Sequence, residues 1–130
     1  MKVLIATQKP FAAAAVKGIR EILEGAGHEV VLLEKYAEAK DLIDAVADVE
    51  AMIIRSDKVT PEVLDAAKKL KIVVRAGAGF DNVDLAAATA HGVVVENTPG
   101  QNASAVAELA IALMIFMSRN QFTPVSGIEV

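Results

Sequence analysis

An arginine and a glycine-rich turn stand where a small anion could bind. Arg75 ends an apolar run that begins at Ile72, and the turn Gly77-Ala78-Gly79 follows closely. A guanidinium group matches the oxygens of a carboxylate or phosphate, and glycine lets backbone N–H groups approach an anion closely. Lys9, in the turn after the first apolar run, could contact a phosphate at the same edge. The pattern favours a small anionic substrate.

A second arginine, Arg55, ends the apolar run MIIR and could serve the same site. The alternative is that both arginines are surface side chains neutralised by carboxylates such as Asp57 and Asp81. Lys9 could likewise be an ordinary exposed lysine of a turn. Spacing alone leaves both interpretations open.

The two glycines of the turn do not predict a dinucleotide site. The dinucleotide fingerprint needs a third glycine where the next helix begins, with an acidic residue roughly 20 positions further on. This chain has Asn82 at the third position, and Glu96 lies in the region of the fifth predicted strand. His28 and His91 lie in glycine-containing turns without a second ligand at metal-binding spacing, so no metal site is expected.

Apolar runs alternate with amphipathic segments, which predicts an α/β fold. Strands are expected at residues 3–6, 30–33, 51–54, 72–74 and 93–95, and helices at 11–25, 41–46, 61–70, 85–90 and 103–119. Near-continuous Val and Ile runs separated by helices indicate a parallel sheet covered on both faces. Right-handed crossovers then predict a flavodoxin-like, doubly wound sheet of five strands in the order 2-1-3-4-5.

Periodicity and capping residues add detail to the helices. Thr60 and Asp84 are expected to cap the helices that follow them. The apolar stripe of the first helix is expected to face the sheet and comprises Val16, Ile19, Ile22 and Leu23.

The last predicted helix is apolar around most of its circumference. Glu108 is its only charge between residues 105 and 117. Such a helix needs burial on all sides, yet it is too short to span a bilayer, which takes roughly 20 apolar residues. We therefore expect a homodimer or a helix-swapped oligomer formed through residues 103–119.

Composition excludes several classes of function. The net charge of −4 argues against nucleic-acid binding, which usually requires a basic surface. The chain has no cysteine, so neither a disulfide nor a thiolate metal site is expected. The apolar stretch at the amino terminus is too short for a secretory signal. A cytoplasmic protein without a membrane partner is expected.

The stretch VVRAGAGFDNVD, continued by LAAATAHGVVVENTPGQNASAVAEL, resembles the D-2-hydroxyacid dehydrogenase family, and within it the phosphoglycerate dehydrogenases. The resemblance implies NAD-dependent oxidation of 3-phosphoglycerate, a step of serine biosynthesis. It also implies that the amides of Ala78 and Gly79 hold the substrate carboxylate. Arg55 would bind the rest of the substrate, with Arg75 nearby.

The same resemblance implies a division of labour along the chain. Residues 1–102 would form the substrate-binding domain and 103–120 a long apolar helix packing on the sheet or on a partner. Residues 121–130 would be a tail at the point where the NAD domain of the family begins. Asn102 and Val106 would lie near the nicotinamide.

Catalytic groups are not expected within this chain. The family's catalytic Arg, Glu and His belong to the NAD domain, and no matching motif occurs here. We therefore expect a substrate-binding fragment that is inactive alone and holds no cofactor by itself, although the full-length family uses NAD. The alternative is a stand-alone flavodoxin-like folding or interaction module that self-associates without a ligand.

Overall fold

Five parallel strands form one sheet in the computed structural model, which describes residues 1–118. The strands are β1 Lys2–Thr7, β2 Glu29–Glu34, β3 Ala51–Ile54, β4 Ile72–Arg75 and β5 Val94–Asn97. The helices are α1 Ala13–Gly25, α2 Ala39–Val46, α3 Pro61–Ala66, α4 Leu85–Ala90 and α5 Ala103–Ser118. All neighbouring strands are parallel and their order is β2-β1-β3-β4-β5, so the predicted α/β topology is confirmed.

The strand order places a switch point between β1 and β3. The chain moves outwards in one direction from β1 to β2, and in the other direction from β3 to β5. In open α/β sheets, ligands bind at the carboxyl edge near such a reversal. The register pairs Ala6 with Ile54, Ile54 with Arg75 and Arg75 with Asn97. The loops that leave these strands therefore begin at one level.

The main core lies between one face of the sheet and helices α2, α3 and α4. The strands contribute alternate residues to it, which are Leu4, Ala6, Met52, Ile54 and Val73. The helices contribute Leu42, Val46, Val63, Leu64 and Ala88. Burying a side chain of the size of Leu or Val stabilises the fold by about 1.5–3 kcal/mol, so this layer holds the sheet rigid beneath its carboxyl edge.

The other face of the sheet is covered less completely. Val3 and Ile5 of β1 are buried, Val74 of β4 is half-buried, and Val94 of the edge strand β5 is exposed. Helix α1 packs against β2 without burying any of its own residues completely. Val16, Ile19 and Leu23 are half-buried, but the prediction for Ile22 is wrong, because its side chain is 74% exposed.

Helix α3 is shorter than its sequence predicts. It ends at Ala66, because Ala67 leaves the helical region with φ −82° and ψ 63°. The predicted extension to residue 70 is therefore wrong. Leu70 is nonetheless buried, in the turn before β4. The apolar spacing that suggests a longer helix thus reflects burial of a turn residue.

Two helix starts differ in how they are capped. Thr60 occupies the position before α3, with Pro61 in the first turn, but its side chain forms no capping hydrogen bond. Helix α2 begins at Ala39, two residues before the predicted start, because Glu38 and Asp41 form a capping box there. Such reciprocal bonds satisfy backbone N–H groups that a helix start leaves without partners.

The described residues from Gly100 to Ser118 belong to a second unit, distinct from the unit Met1–Pro99. Its helix α5 begins with a bond from the Val106 amide to the Asn102 carbonyl, 3.0 Å long. Every residue of α5 is exposed, so the predicted apolar burial is not confirmed. Arg119 and the predicted tail at 121–130 lie outside the described residues. Within residues 1–118, no helix combines the length and hydrophobicity that a membrane crossing requires.

Candidate functional site

Hydrogen bonds to the neighbouring strands hold the loop after β4 in a fixed conformation. The Ala76 amide donates to the Ile54 carbonyl at 2.8 Å, which continues the pairing of β4 with β3. The Gly77 carbonyl accepts from the amide of Thr98 at 3.0 Å, and the Ala78 carbonyl accepts from Asn97 Nδ2 at 2.6 Å. Two consecutive carbonyls are thus bound to the segment at the end of β5.

The amides that follow in this loop are left without partners. Within residues 1–118, the N–H groups of Ala78 and Gly79 donate to no protein acceptor, and both residues are exposed. Adjacent free N–H groups in an exposed turn form a concavity suited to an anion. The exposed Asp81 carboxylate lies beside Gly79, since a methyl group at position 79 would come within 2.9 Å of Asp81 Oδ1.

Arg75 lies directly against the backbone of Gly77. A methyl group at position 77 would overlap the guanidinium group, so the absence of a side chain there permits the contact. Arg75 Nε donates to the Arg55 carbonyl at 2.9 Å, which fixes the guanidinium group between the loops after β3 and β4. Gly77 does not have a positive φ, so its backbone conformation does not require glycine. The close approach of the Arg75 guanidinium group is what favours glycine at this position.

The two arginines keep their charges available. Neither Arg55 nor Arg75 forms an ion pair within the described part of the chain. Arg55 is exposed and Arg75 is half-buried. The alternative of neutralisation by Asp57 and Asp81 is therefore not what the structure shows. Two uncompensated cations at the sheet edge that carries the free N–H groups favour an anionic ligand.

Lys9 lies at the same edge, in the loop that follows β1. Its side chain is exposed, and its carbonyl accepts from the Thr7 hydroxyl at 2.6 Å. Arg75 contacts the Arg55 carbonyl and the backbone of Gly77, and Ala78 and Gly79 follow Gly77 in the same loop. Lys9 is placed with them by strand register, and no contact links its side chain to theirs.

The sequence did not indicate that the carboxylate of Asp57 is buried beneath this edge of the sheet. Asp57 is 4% exposed, and its Oδ1 accepts from Tyr36 Oη at 2.5 Å and from the Gln8 amide at 2.8 Å. Burial, followed by the hydrogen bond and negative charge of Asp57, raises the pKa of Tyr36 above its ordinary range. The one available signal was that Asp57 follows the end of β3 and Tyr36 the end of β2.

The turn does not fit the pyrophosphate of a dinucleotide. Five residues separate Gly79 from Leu85, where α4 begins, whereas the fingerprint leads directly into a helix. Asp84 caps α4 by accepting from the Ala87 amide at 2.9 Å, which confirms the predicted cap. Its carboxylate therefore occupies the position at the helix start that a phosphate would need.

The described residues give little support to metal binding or to a role for the histidines. No group of three or more His, Asp or Glu side chains that could hold a metal ion occurs between residues 1 and 118. His91 contacts Asp65 at 3.0 Å on the surface, and His28 lies near the terminal amine. Asn102 and Val106 belong to the second unit, so their predicted position near a nicotinamide stays a prediction.

Comparison with known proteins gives a consistent result. Residues 4–124 match the catalytic domain of D-isomer specific 2-hydroxyacid dehydrogenases. D-3-phosphoglycerate dehydrogenase of Sus scrofa is 46% identical over 77% of this chain, and that of Archaeoglobus fulgidus is 44% identical over 92%. These alignments cover 19% and 21% of the two relatives, so the chain spans about a fifth of their length.

Solved structures agree with the sequence comparison. The NAD⁺-bound 3-phosphoglycerate dehydrogenase of Entamoeba histolytica is 53% identical and superposes with a TM-score of 0.88, over 99% of this chain and 43% of that one. An NAD-dependent formate dehydrogenase of Staphylococcus aureus is 30% identical with a TM-score of 0.75, over 93% and 38%. This chain therefore belongs to the D-isomer specific 2-hydroxyacid dehydrogenase family.

Proposed function

We propose that this chain is the substrate-binding part of an NAD-dependent D-3-phosphoglycerate dehydrogenase. The observation that carries the proposal is the pair of unpartnered amides at Ala78 and Gly79, at the sheet edge where two strands end in arginines without ion pairs in the described residues. The similar phosphoglycerate dehydrogenases support the choice of substrate. A small phosphorylated 2-hydroxy acid carries a carboxylate and a phosphate, and this edge of the sheet offers donors for both.

The proposed roles follow from the type of donor at each position. The amides of Ala78 and Gly79 would bind the carboxylate, because adjacent N–H groups in a turn suit its two oxygens. Arg55 would bind the rest of the substrate, with Arg75 beside it, and Lys9 would reach the phosphate. Because the glycine turn after β4 does not fit a dinucleotide, the residues at this edge are assigned the binding and orientation of the substrate and no part in hydride transfer.

An amide-resolved NMR titration of the labelled chain with 3-phosphoglycerate tests this proposal. We expect shifts at Arg55, Ala78 and Gly79 that saturate, and weaker shifts with D-glycerate, which lacks the phosphate. Arg55→Ala and Arg75→Ala should each weaken binding about tenfold or more, the value of one charge-assisted hydrogen bond.

The matched control is Arg20→Ala, which removes the same charge from α1, where Arg20 forms an ion pair with Glu24. The dissociation constant of Arg20→Ala for 3-phosphoglycerate should equal that of the unchanged chain. Saturating shifts elsewhere in the chain, or no shifts in a spectrum with dispersed peaks, would refute the proposed function.

The same proposal predicts that the 130-residue chain is inactive by itself. Mixed with NAD⁺ and 3-phosphoglycerate, it should form no NADH, because the glycine turn after β4 does not fit the dinucleotide. Formation of NADH by the pure chain would contradict this part of the proposal. A cytoplasmic location, without a nucleic-acid or membrane partner, also belongs to the proposal.

Self-association through α5 is the second candidate function. Its large hydrophobic side chains are exposed, namely Val106, Leu109, Ile111, Leu113, Met114, Ile115, Phe116 and Met117. A contiguous set of this kind usually marks an interaction surface. Sedimentation velocity should show a dimer or larger oligomer that Leu113→Lys dissociates. A monomer at high concentration would exclude this candidate.

A further inference from the structure

The loops that carry the substrate donors meet at a single buried carboxylate. Asp57 follows β3, and both of its carboxylate oxygens accept hydrogen bonds. Oδ1 accepts from the Gln8 amide at 2.8 Å and from Tyr36 Oη at 2.5 Å, while Oδ2 lies 3.4 Å from the Arg55 amide. Gln8 directly precedes Lys9. The carboxylate thus joins the ends of β1, β2 and β3.

The backbone of Asp57 extends this connection to the loop after β4. Its carbonyl accepts from Asn82 Nδ2 at 2.7 Å, and the Val59 amide donates to the Asn82 carbonyl at 2.9 Å. The Arg55 carbonyl receives the Nε of Arg75. The segments that hold Lys9, Arg55, Arg75 and the turn at Gly77 are therefore all within one or two hydrogen bonds of Asp57.

The stability of the fold alone does not explain why a carboxylate is buried at this position. Burying a charge is unfavourable unless hydrogen bonds compensate it, and no cation pairs with Asp57 in the described residues. Its negative charge would also repel an anionic ligand bound at the same edge. What the carboxylate supplies is acceptor capacity, because an ionised carboxylate accepts on both oxygens and donates nothing.

We propose that Asp57 is a positioning residue, which aligns the loops of Lys9, Arg55 and Arg75 for an anionic substrate through its bonds to Gln8, Tyr36 and Arg55. This inference rests on the proposed function, since it concerns the same site. It assigns Asp57 no contact with the substrate. Tyr36 acts through Asp57, as the only side chain among residues 1–118 that donates to the carboxylate.

The substitution Asp57→Asn separates positioning from charge. An asparagine oxygen can still accept from Gln8 and Tyr36, but its NH₂ group would then face the Arg55 amide, so that two donors meet. If Asp57 acted only through its charge, removing that charge would tighten the binding of an anion. If it positions the loops, binding should weaken. The two explanations predict opposite signs.

We expect Asp57→Asn to raise the dissociation constant for 3-phosphoglycerate about tenfold, the equivalent of one lost hydrogen bond of ordinary strength. Tyr36→Phe, which leaves the carboxylate in place, should raise it by a smaller factor. It also serves as the second variant if Asp57→Asn does not fold. Unchanged or tighter binding by both folded variants would overturn the inference.

Amide hydrogen exchange provides a readout that needs no ligand. The amides of Gln8 and Arg55 should exchange faster in Asp57→Asn than in the unchanged chain, while core amides such as that of Ile5 keep their protection. If the unchanged chain binds no 3-phosphoglycerate, the proposed function fails, and exchange alone decides whether Asp57 orders these loops. Equal exchange at Gln8 and Arg55 in both chains would refute the positioning role.

Discussion

Replacing Gly77 by alanine should weaken substrate binding while leaving the stability of the fold almost unchanged. The added methyl group would overlap the Arg75 guanidinium group, which is the flexible end of a side chain and can move away. Arg75 then loses its 2.9 Å bond to the Arg55 carbonyl. Because this bond is exposed to water, we assign it the value of an ordinary hydrogen bond, about 0.5–1.5 kcal/mol net, although its donor is charged.

The loss is largely offset in the unfolded state. Alanine restricts the unfolded chain more than glycine does, which stabilises a protein by about 0.4–1 kcal/mol where the backbone accepts alanine. Gly77 does not have a positive φ, so its backbone conformation imposes no further penalty. The free energy of unfolding should therefore change by less than about 1 kcal/mol.

The effect on binding should be much larger than the effect on stability. A displaced guanidinium group forfeits a charge-assisted contact of about 1.5–3 kcal/mol, which corresponds to at least a tenfold weaker dissociation constant for 3-phosphoglycerate. Urea denaturation followed by circular dichroism measures stability, and an NMR titration measures binding.

Gly18→Ala in α1 is the matched control, because a methyl group there meets no atom within 4 Å. It should stabilise the chain by about 0.5–1 kcal/mol, the usual difference between glycine and alanine inside a helix, and leave binding unchanged. Gly77→Ala with undiminished affinity would refute the role given to Arg75. A loss of stability above about 3 kcal/mol would show that the loop cannot accommodate the methyl group.

Three further predictions concern the fold. Asp84→Ala removes the cap of α4 and should lower the free energy of unfolding by about 1 kcal/mol, measured in urea, whereas Asp84→Asn should retain most of it. Tyr36 is the only tyrosine in the sequence. Burial and Asp57 raise its pKa in the folded state above the ordinary value of about 10. The stability that Tyr36 contributes is therefore complete below about pH 10 and is lost as the pH rises from there through the folded-state value. Tyrosinate absorbance should therefore appear together with alkaline unfolding, and Tyr36→Phe should unfold less steeply with pH; titration near pH 10 in the folded chain would contradict this. The hydrogen bond from Lys69, and then its charge, lower the pKa of Asp48, so this pair contributes stability above about pH 4 that is lost as the pH falls through the folded-state value. Thermal denaturation of Asp48→Asn should show a weaker dependence on pH in that range, and an unchanged dependence would contradict the assignment.

The architecture of the sheet could be predicted because its signals are local. Runs of Val and Ile mark the strands, and right-handed crossovers leave few possible orders for five parallel strands. Since the carboxyl ends of parallel strands share one edge, Arg55 and Arg75 had to lie at the same side of the sheet. An apolar residue can satisfy the helical period without packing against the helix's buried face, as Leu70 does beyond the end of α3 and Ile22 does on the exposed side of α1.

The candidate site was predictable in its residue types but not in its connections. Sequence alone indicates cations and glycines at a strand end. It does not show that Asn97 holds the Ala78 carbonyl, or that Gly77 makes room for the Arg75 side chain. Those contacts depend on the register of β5 against β4 and on a side-chain rotamer, and neither leaves a periodic signal.

The sequence by itself therefore determined the fold class, the strand order and the edge of the sheet at which a ligand would bind, because hydrophobic periodicity and chain connectivity act over short distances. Only the tertiary structure decided which groups at that edge are free and which are committed. Asp57 shows the difference most clearly, since its partners Gln8 and Tyr36 are 49 and 21 residues away in the chain. A buried carboxylate must find its donors wherever the fold brings them, and here they come from the ends of two other strands.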